Sequence, residues 1–274
     1  MTNVPTEKYA PLATIDGDRL GFDSAGYLVG RGFKGLRTST FEGRDVKLAG
    51  PIVHNEQFDD FIGPVLSSAR WGTKLGSDGA NAVAITPSVG GAIRFTTGGN
   101  AAHSVATNGA VLQSALNWKA ANGGLVFEAR VGAVSSLTGL VLYMGFTDQI
   151  ASLAAPFTLS VATLTSNASN GTGFLFDAAQ TTPHFNLVGV KGDTDATTQN
   201  LTVDPATSGY HTYRVAVDST GNARFFIDGL LVGTTLANAV TATTALTPVI
   251  CVSSESTAAR TVDCDYVLVQ QFRV

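Results

Sequence analysis

The clearest signal in the chain is a succession of short apolar segments, each bounded by Gly, Asn, Asp, Ser or Pro: "AIRFTT" (92–97), "LVFEARVGAV" (125–134), "LVLYMGFTD" (140–148), "FTLSVATL" (157–164), "GFLFD" (173–177), "FNLVGV" (185–190), "HTYRVAVD" (211–218), "ARFFIDG" (223–229), "LLVGTT" (230–235), "PVICVSS" (248–254) and "VDCDYVLVQQF" (262–272). They are rich in β-branched and aromatic residues, and no helical pattern intervenes, so the sequence predicts antiparallel sheets, which need no crossover helices. The stretch 211–235 is the most explicit. Tyr213, Val215 and Val217 alternate with Arg214 and Asp218, so one face of that strand is core. "DSTGN" turns the chain, "ARFFI" returns, and Asp228-Gly229 has the chemistry of a tight primed turn before "LLVGT" goes out again. Two polar stretches, 165–172 and 191–200, read as loops.

Before residue 55 the pattern is different. Residues 1–54 read as an extended, charged N-terminal arm with one small hairpin (20–22 with 27–29), and residues 55–274 as the sandwich. Residues 1–50 hold seven bases and six acids, about twice the charge density of the remainder. Arg19, Arg31, Lys34, Arg37, Arg44 and Lys47 are the basic residues expected to touch a partner surface. Within this arm "GRGFKG" (30–35) has the Gly-x-Gly-x-x-Gly spacing of a dinucleotide site, but no helix follows it to present free N–H groups to a phosphate. The glycines there are read as backbone freedom.

Composition narrows the class further. Only 14% of residues are charged, 44% are apolar, and glutamate occurs at only five positions, so few amphipathic helices are expected. A net charge of −4 argues against nucleic acid or an anionic membrane as the main partner. No apolar run approaches membrane length, and the first residues lack a secretory pattern, so a soluble protein made in the cytoplasm is expected. Cys251 and Cys264 are expected as two buried thiols, with facing positions on neighbouring strands the alternative.

The meander "HTYRVAVDSTGNARFFIDGLLVGT" and the closing "RTVDCDYVLVQQF" resemble the concanavalin A-like lectin and glucanase superfamily, which includes laminin-G domains. "EQFDDFIGPVLSSARW", "NGGLVFEARVGAVSSLTGLVLYMGFTD" and "GNARFFIDGLLVGTTLANAVTATTALTPVI" resemble bacteriophage structural proteins with that fold. The likeness covers roughly residues 55–274. It implies an all-β, concanavalin A-like jelly-roll sandwich of two antiparallel sheets, and leaves open whether the protein cuts sugars, binds them or builds structure.

The residues discriminate among those roles. Retaining glucanases of the superfamily carry a Glu-x-Asp-x-x-Glu strand, which this chain lacks; Glu128 has no acid two or four residues away, and Asp263 and Asp265, which share a face, read as surface or turn-anchoring residues. His54, His103, His184 and His211 lack metal-ligand spacing, and "GDTD" (192–195) lacks the further acids of a calcium loop, so no metal, cofactor or catalytic residue is expected. The expectation is therefore a non-enzymatic phage virion protein, a capsid decoration or cement subunit. Its arm would grip the major capsid protein and neighbouring copies of itself, a homotrimer included, at the capsid surface. The alternative is a tail- or fibre-associated carbohydrate-binding module with Trp71, Trp118, Tyr143 and Tyr210 as candidate glycan platforms.

Overall fold

The computed structural model describes residues 20–22, 28–30, 54–86, 91–99, 104–150 and 153–272. The chain divides into two units, 1–51 and 52–274. In the first, Leu20–Phe22 (β1) and Leu28–Gly30 (β2) form an antiparallel hairpin with Leu20 opposite Gly30. This is the hairpin expected from the sequence, its second strand displaced by one residue. The six basic arm residues lie outside the described residues.

The second unit is the sandwich, and its strands follow in chain order. His54–Asp59 (β3), Gly72–Leu75 (β4), Ala82–Ile85 (β5), Ile93–Thr96 (β6) and Ala110–Gln113 (β7) come first, with one short helix, Val105–Asn108 (α1), before β7. Leu125–Gly132 (β8) and Leu140–Thr147 (β9) are the two long central strands, and Phe157–Ser160 (β10) and Thr163–Ser166 (β11) make a separate hairpin. Asn170–Asp177 (β12), Asn186–Lys191 (β13), Thr194–Asp195 (β14) and Gln199–Asn200 (β15) precede the meander Tyr210–Val217 (β16), Ala223–Ile227 (β17) and Leu230–Leu236 (β18). Thr247–Ser254 (β19) and Thr261–Phe272 (β20) complete the chain.

Among the described residues these strands form two eight-stranded antiparallel sheets. The first runs β14-β13-β12-β9-β19-β7-β4 with β15 also on β13; the second runs β18-β17-β16-β8-β20-β6-β5 with β3 also on β20. The long β20 pairs β8 along one side, and β6 and then β3 along the other. The sheets pack through alternate residues: Leu142, Met144, Phe146, Phe174 and Ile250 from the first meet Phe95, Phe127, Tyr213, Val215 and Phe225 from the second. At the centre, the Phe174 ring lies edge-on to Phe185, Tyr213 and Phe225 at 5.4–5.8 Å between centroids.

The two sheets differ on their outer sides. In the first, the outward residues are apolar as well: Val111, Tyr143, Leu175, Val188, Val190, Val249 and Cys251 form a second core with Phe157 and Leu159 of the β10–β11 hairpin. That hairpin roofs the sheet, which is why "LVLYMGFT" reads as one continuous apolar run: all eight residues are buried. Asp177 is buried at the base of the roof, accepting from the N–H groups of Leu159 (2.8 Å) and Ala179 (2.9 Å), and its burial raises its pKa above the ordinary carboxylate value.

The segments expected as loops contain strand: β11 and the start of β12 fall within or border 165–172, while β14 and β15 lie within 191–200. In β11, β14 and β15 the polar side chains lie at edges, where a strand needs no apolar face, whereas Asn170 and Thr172 at the start of β12 are buried between β13 and β9, with Thr172 donating to the Val188 carbonyl. "FTLSVATL" is two strands, because Val161 adopts a positive φ of 59° and turns the chain. Cys251 belongs to the second core and Cys264 to the first, so both are buried free thiols on different sheets.

Candidate functional site

Among the described residues the outer face of the second sheet has no such roof, and its outward residues are charged and aromatic. Three rows cross it. In the first, Arg94 (β6) lies opposite Asp263 (β20), which lies opposite Gly132 (β8), and Gly132 lies opposite Tyr210 (β16). Tyr266 (β20), Arg130 (β8) and Thr212 (β16) form the second, and Phe58 (β3), Leu268 (β20), Glu128 (β8), Arg214 (β16) and Phe226 (β17) the third.

The first two rows are held together by charge-assisted hydrogen bonds. Arg94 donates from Nε (2.7 Å) and Nη2 (2.8 Å) to the two oxygens of Asp263, a bidentate fork, and this partner raises its pKa. Arg130 donates from Nη1 to Asp265 at 2.5 Å and sits over the Tyr210 ring, its Cζ 4.9 Å from the centroid. The Tyr266 hydroxyl donates to Glu128 Oε1 at 2.9 Å, while its ring meets Phe58 at 5.9 Å. Partial burial, the dominant cause, and the neighbouring Glu128 push the Tyr266 phenol up to about 12, against a hydrogen bond with Thr212. Burial first, then the charges of Asp263 and Asp265, raise Tyr210.

Two backbone devices create this arrangement. Between Cys264 and Tyr266 the register of β20 on β8 shifts, a bulge that leaves Asp265 as the extra residue. Cys264 and Val267 are both in the core, so the bulge turns Asp265 and Tyr266 outward in succession. The second device is Gly132. A β-carbon there would lie 2.0 Å from the Gly209 carbonyl oxygen and 2.7 Å from Tyr210 Cα, so only glycine lets the start of β16 cross this closely and carry Tyr210 over Arg130.

Of the four sequence-derived glycan platforms, the structure keeps one on the surface. Trp71 is 4% exposed and donates from Nε1 to Asp59 (2.8 Å); Trp118 is 8% exposed and donates to Ser114 (3.3 Å). Tyr143 is fully buried under the hairpin, its hydroxyl donating to the Phe146 carbonyl at 2.8 Å. These three are corrected to core residues: each buries its ring and satisfies its polar tip internally, leaving no face for a sugar. Tyr210 is half-buried and lies on the outer face. Tyr266, Phe58, Arg94 and Arg130 were not singled out from the sequence. The bulge that turns Tyr266 outward breaks the alternation by which it would have been found.

His184 pairs with Asp204 (2.7 Å) and His211 with Asp228 (2.5 Å), each in a separate contact. No group of three metal-ligating side chains is found among the described residues.

No protein-family model and no curated protein matches the sequence. Solved structures do match. An endo-1,3-β-glucanase from Streptomyces sioyaensis aligns over 83% of this chain and all of its own, at 14% identity and a TM-score of 0.54. The β-glucanase of Bacillus licheniformis aligns over 78% of this chain and 97% of its own, at 14% identity and 0.51. The carbohydrate recognition domain of Emp47p aligns over 80% and 95%, at 10% identity and 0.52. The fold is the concanavalin A-like jelly roll. At these identities the matches speak for the fold alone.

The expectation of a non-enzymatic capsid subunit is corrected: the solved structures sharing this sandwich are named as glucanases and a carbohydrate recognition domain. The expectation of no enzyme is corrected as well: two acids need not share one strand, because a sheet brings neighbouring strands together, and β20 sets Asp263 and Asp265 beside the strand that carries Glu128.

Proposed function

We propose that the protein is a carbohydrate-binding sandwich whose ligand lies on the open outer face of the second sheet, over Tyr210 and Tyr266. The observation that carries this reading is the open face itself: two tyrosine rings are set among fixed hydrogen-bonding groups, Arg94–Asp263 and Arg130–Asp265, while the opposite sheet is roofed. Sugars present apolar C–H patches that stack on such rings and hydroxyls that bond such polar groups. The named activities of the glucanases and of the recognition domain with this fold support the same ligand class.

Binding to soluble and insoluble glycans, measured by calorimetry and pull-down, tests it. Saturable binding that falls about tenfold or more in Tyr210→Ala and Tyr266→Ala is expected, in line with the loss of stacking and a charge-assisted partner. Failure of every glycan to bind, or binding indifferent to both substitutions, overturns the reading.

One observation favours cleavage of the bound chain as a second reading: Glu128 and Asp265 sit on adjacent strands of the same face, each held by a hydrogen-bond donor. Release of reducing ends that disappears in Glu128→Gln supports it; undiminished release in that variant excludes this pair.

A further inference from the structure

The open face is electrically divided. Its carboxylates, Glu56, Glu128, Asp263 and Asp265, are on β3, β8 and β20, where Arg94 and Arg130 pair with the two aspartates while Gln270 and Tyr266 donate to the two glutamates. The outward residues of β16 and β17 are Tyr210, Thr212, Arg214, Ala216, Arg224 and Phe226, with two guanidinium groups and no acid. Glu128 lies directly opposite Arg214 in the register, but its carboxylate accepts from Tyr266, and among the described residues no carboxylate forms an ion pair with Arg214 or Arg224. Arg214 lies with its Cζ 5.7 Å from the Phe226 ring centroid, within cation–π reach. Its Nε is buried and has no hydrogen-bond partner among the described residues. A buried donor without an acceptor is costly, and an Nε–Nη edge is the geometry with which Arg94 grips Asp263 on the same face.

From this division we infer that the glycan is anionic: a polysaccharide whose carboxylate or sulfate-ester oxygens are received by Arg214, with Arg224 adding charge, while a neighbouring sugar ring lies toward Tyr210. This rests on the carbohydrate-binding reading and narrows its ligand class. A guanidinium beside an aromatic ring, with its Nε already buried, meets a planar or tetrahedral oxyanion through its Nη groups. The chain's net charge of −4 disfavours indiscriminate uptake of polyanions, so a preference for them would have to be local.

The test compares the full chain's affinity for polygalacturonate (carboxylate), a sulfated galactan (sulfate ester) and neutral laminarin at two salt concentrations. At least one anionic polymer should bind about tenfold more tightly than laminarin, the scale of a hydrogen bond to a charged group. Arg214→Gln should reduce the ratio of anionic to neutral affinity about tenfold with an unchanged melting temperature, and Arg214→Lys should restore part of it. Arg224→Gln should weaken only the salt-dependent part. Which polymer wins identifies the oxyanion. Equal affinity for neutral and anionic polymers, or an anionic preference indifferent to both arginines, overturns the inference while leaving the carbohydrate-binding reading intact. Failure of all three polymers to bind, extended to the wider glycan panel, overturns both.

Discussion

Replacing Gly132 with alanine tests how the site is built without removing any side chain from it. The added carbon would stand 2.0 Å from the Gly209 carbonyl oxygen and 2.7 Å from Tyr210 Cα, where ordinary contact begins near 3.4 Å. Both obstacles are backbone, so a rotamer change cannot relieve them; the start of β16 must withdraw by about 1.4 Å. Overpacking of this kind costs about 1–3 kcal/mol, and in a domain of this size each kcal/mol lowers Tm by about 2–4 °C. A fall of about 2–12 °C in calorimetry is therefore expected. Binding should suffer more than stability, because the withdrawal lifts the Tyr210 ring from the Arg130 guanidinium, now 4.9 Å from its centroid. Glycan affinity should drop at least as far as in Tyr210→Ala, while Gly209→Ala, where a β-carbon meets nothing within 4 Å, should leave the crossing sterically free. Since Gly209 has a φ of 73°, that control carries its own backbone cost of about 1 kcal/mol. Full stability with unchanged glycan affinity in Gly132→Ala would refute the close crossing and the positioning role derived from it.

Other outcomes follow from the packing and the ionisable groups. Phe174→Ala, at the centre of the aromatic cluster, should cost about 3–5 kcal/mol, read as a loss of about 10 °C in Tm. Asp218 caps the β16–β17 turn: burial pushes its carboxyl up, but hydrogen bonds from Thr220 and Asn222 outweigh this and hold it at about 2, below its ordinary 3.8. A depressed folded value means the contribution is present above pH 3.8 and lost as pH falls toward 2. The group is largely exposed, so about 1 kcal/mol is expected, visible as a flatter acid limb of stability in Asp218→Ala. Burial pushes the Cys251 thiol up to about 12 and raises Cys264 as well, so neither should react with a thiol reagent at pH 8 until the protein unfolds. Rapid labelling of the folded protein would contradict the two-core arrangement.

Where local pattern and tertiary environment agree, the sequence was readable. Tyr213, Val215 and Val217 are buried as the alternation of β16 requires, and Asp228 and Gly229 both have positive φ (50° and 79°), as the primed turn demands. The sheet-on-sheet arrangement followed from the same signals. What could not be read depended on partners distant in sequence. Tyr143 looks like a surface aromatic until β10 and β11 cover it, and Glu128 looks solitary until β20 arrives from 138 positions away to put Tyr266 against it. Strands β4 and β5 have only four residues each and mixed exposure, so their periodicity is too short to register. The bulge at Asp265 is a register event between two strands and has no signature within either one.

The β10–β11 roof also sets valency. On the carbohydrate-binding reading, because it seals one sheet beneath a second apolar core, the described residues offer a polysaccharide one open sheet face. One copy can therefore occupy a polymer without linking two strands of it, and any gelling or agglutination would require several copies held together, with avidity set by their spacing.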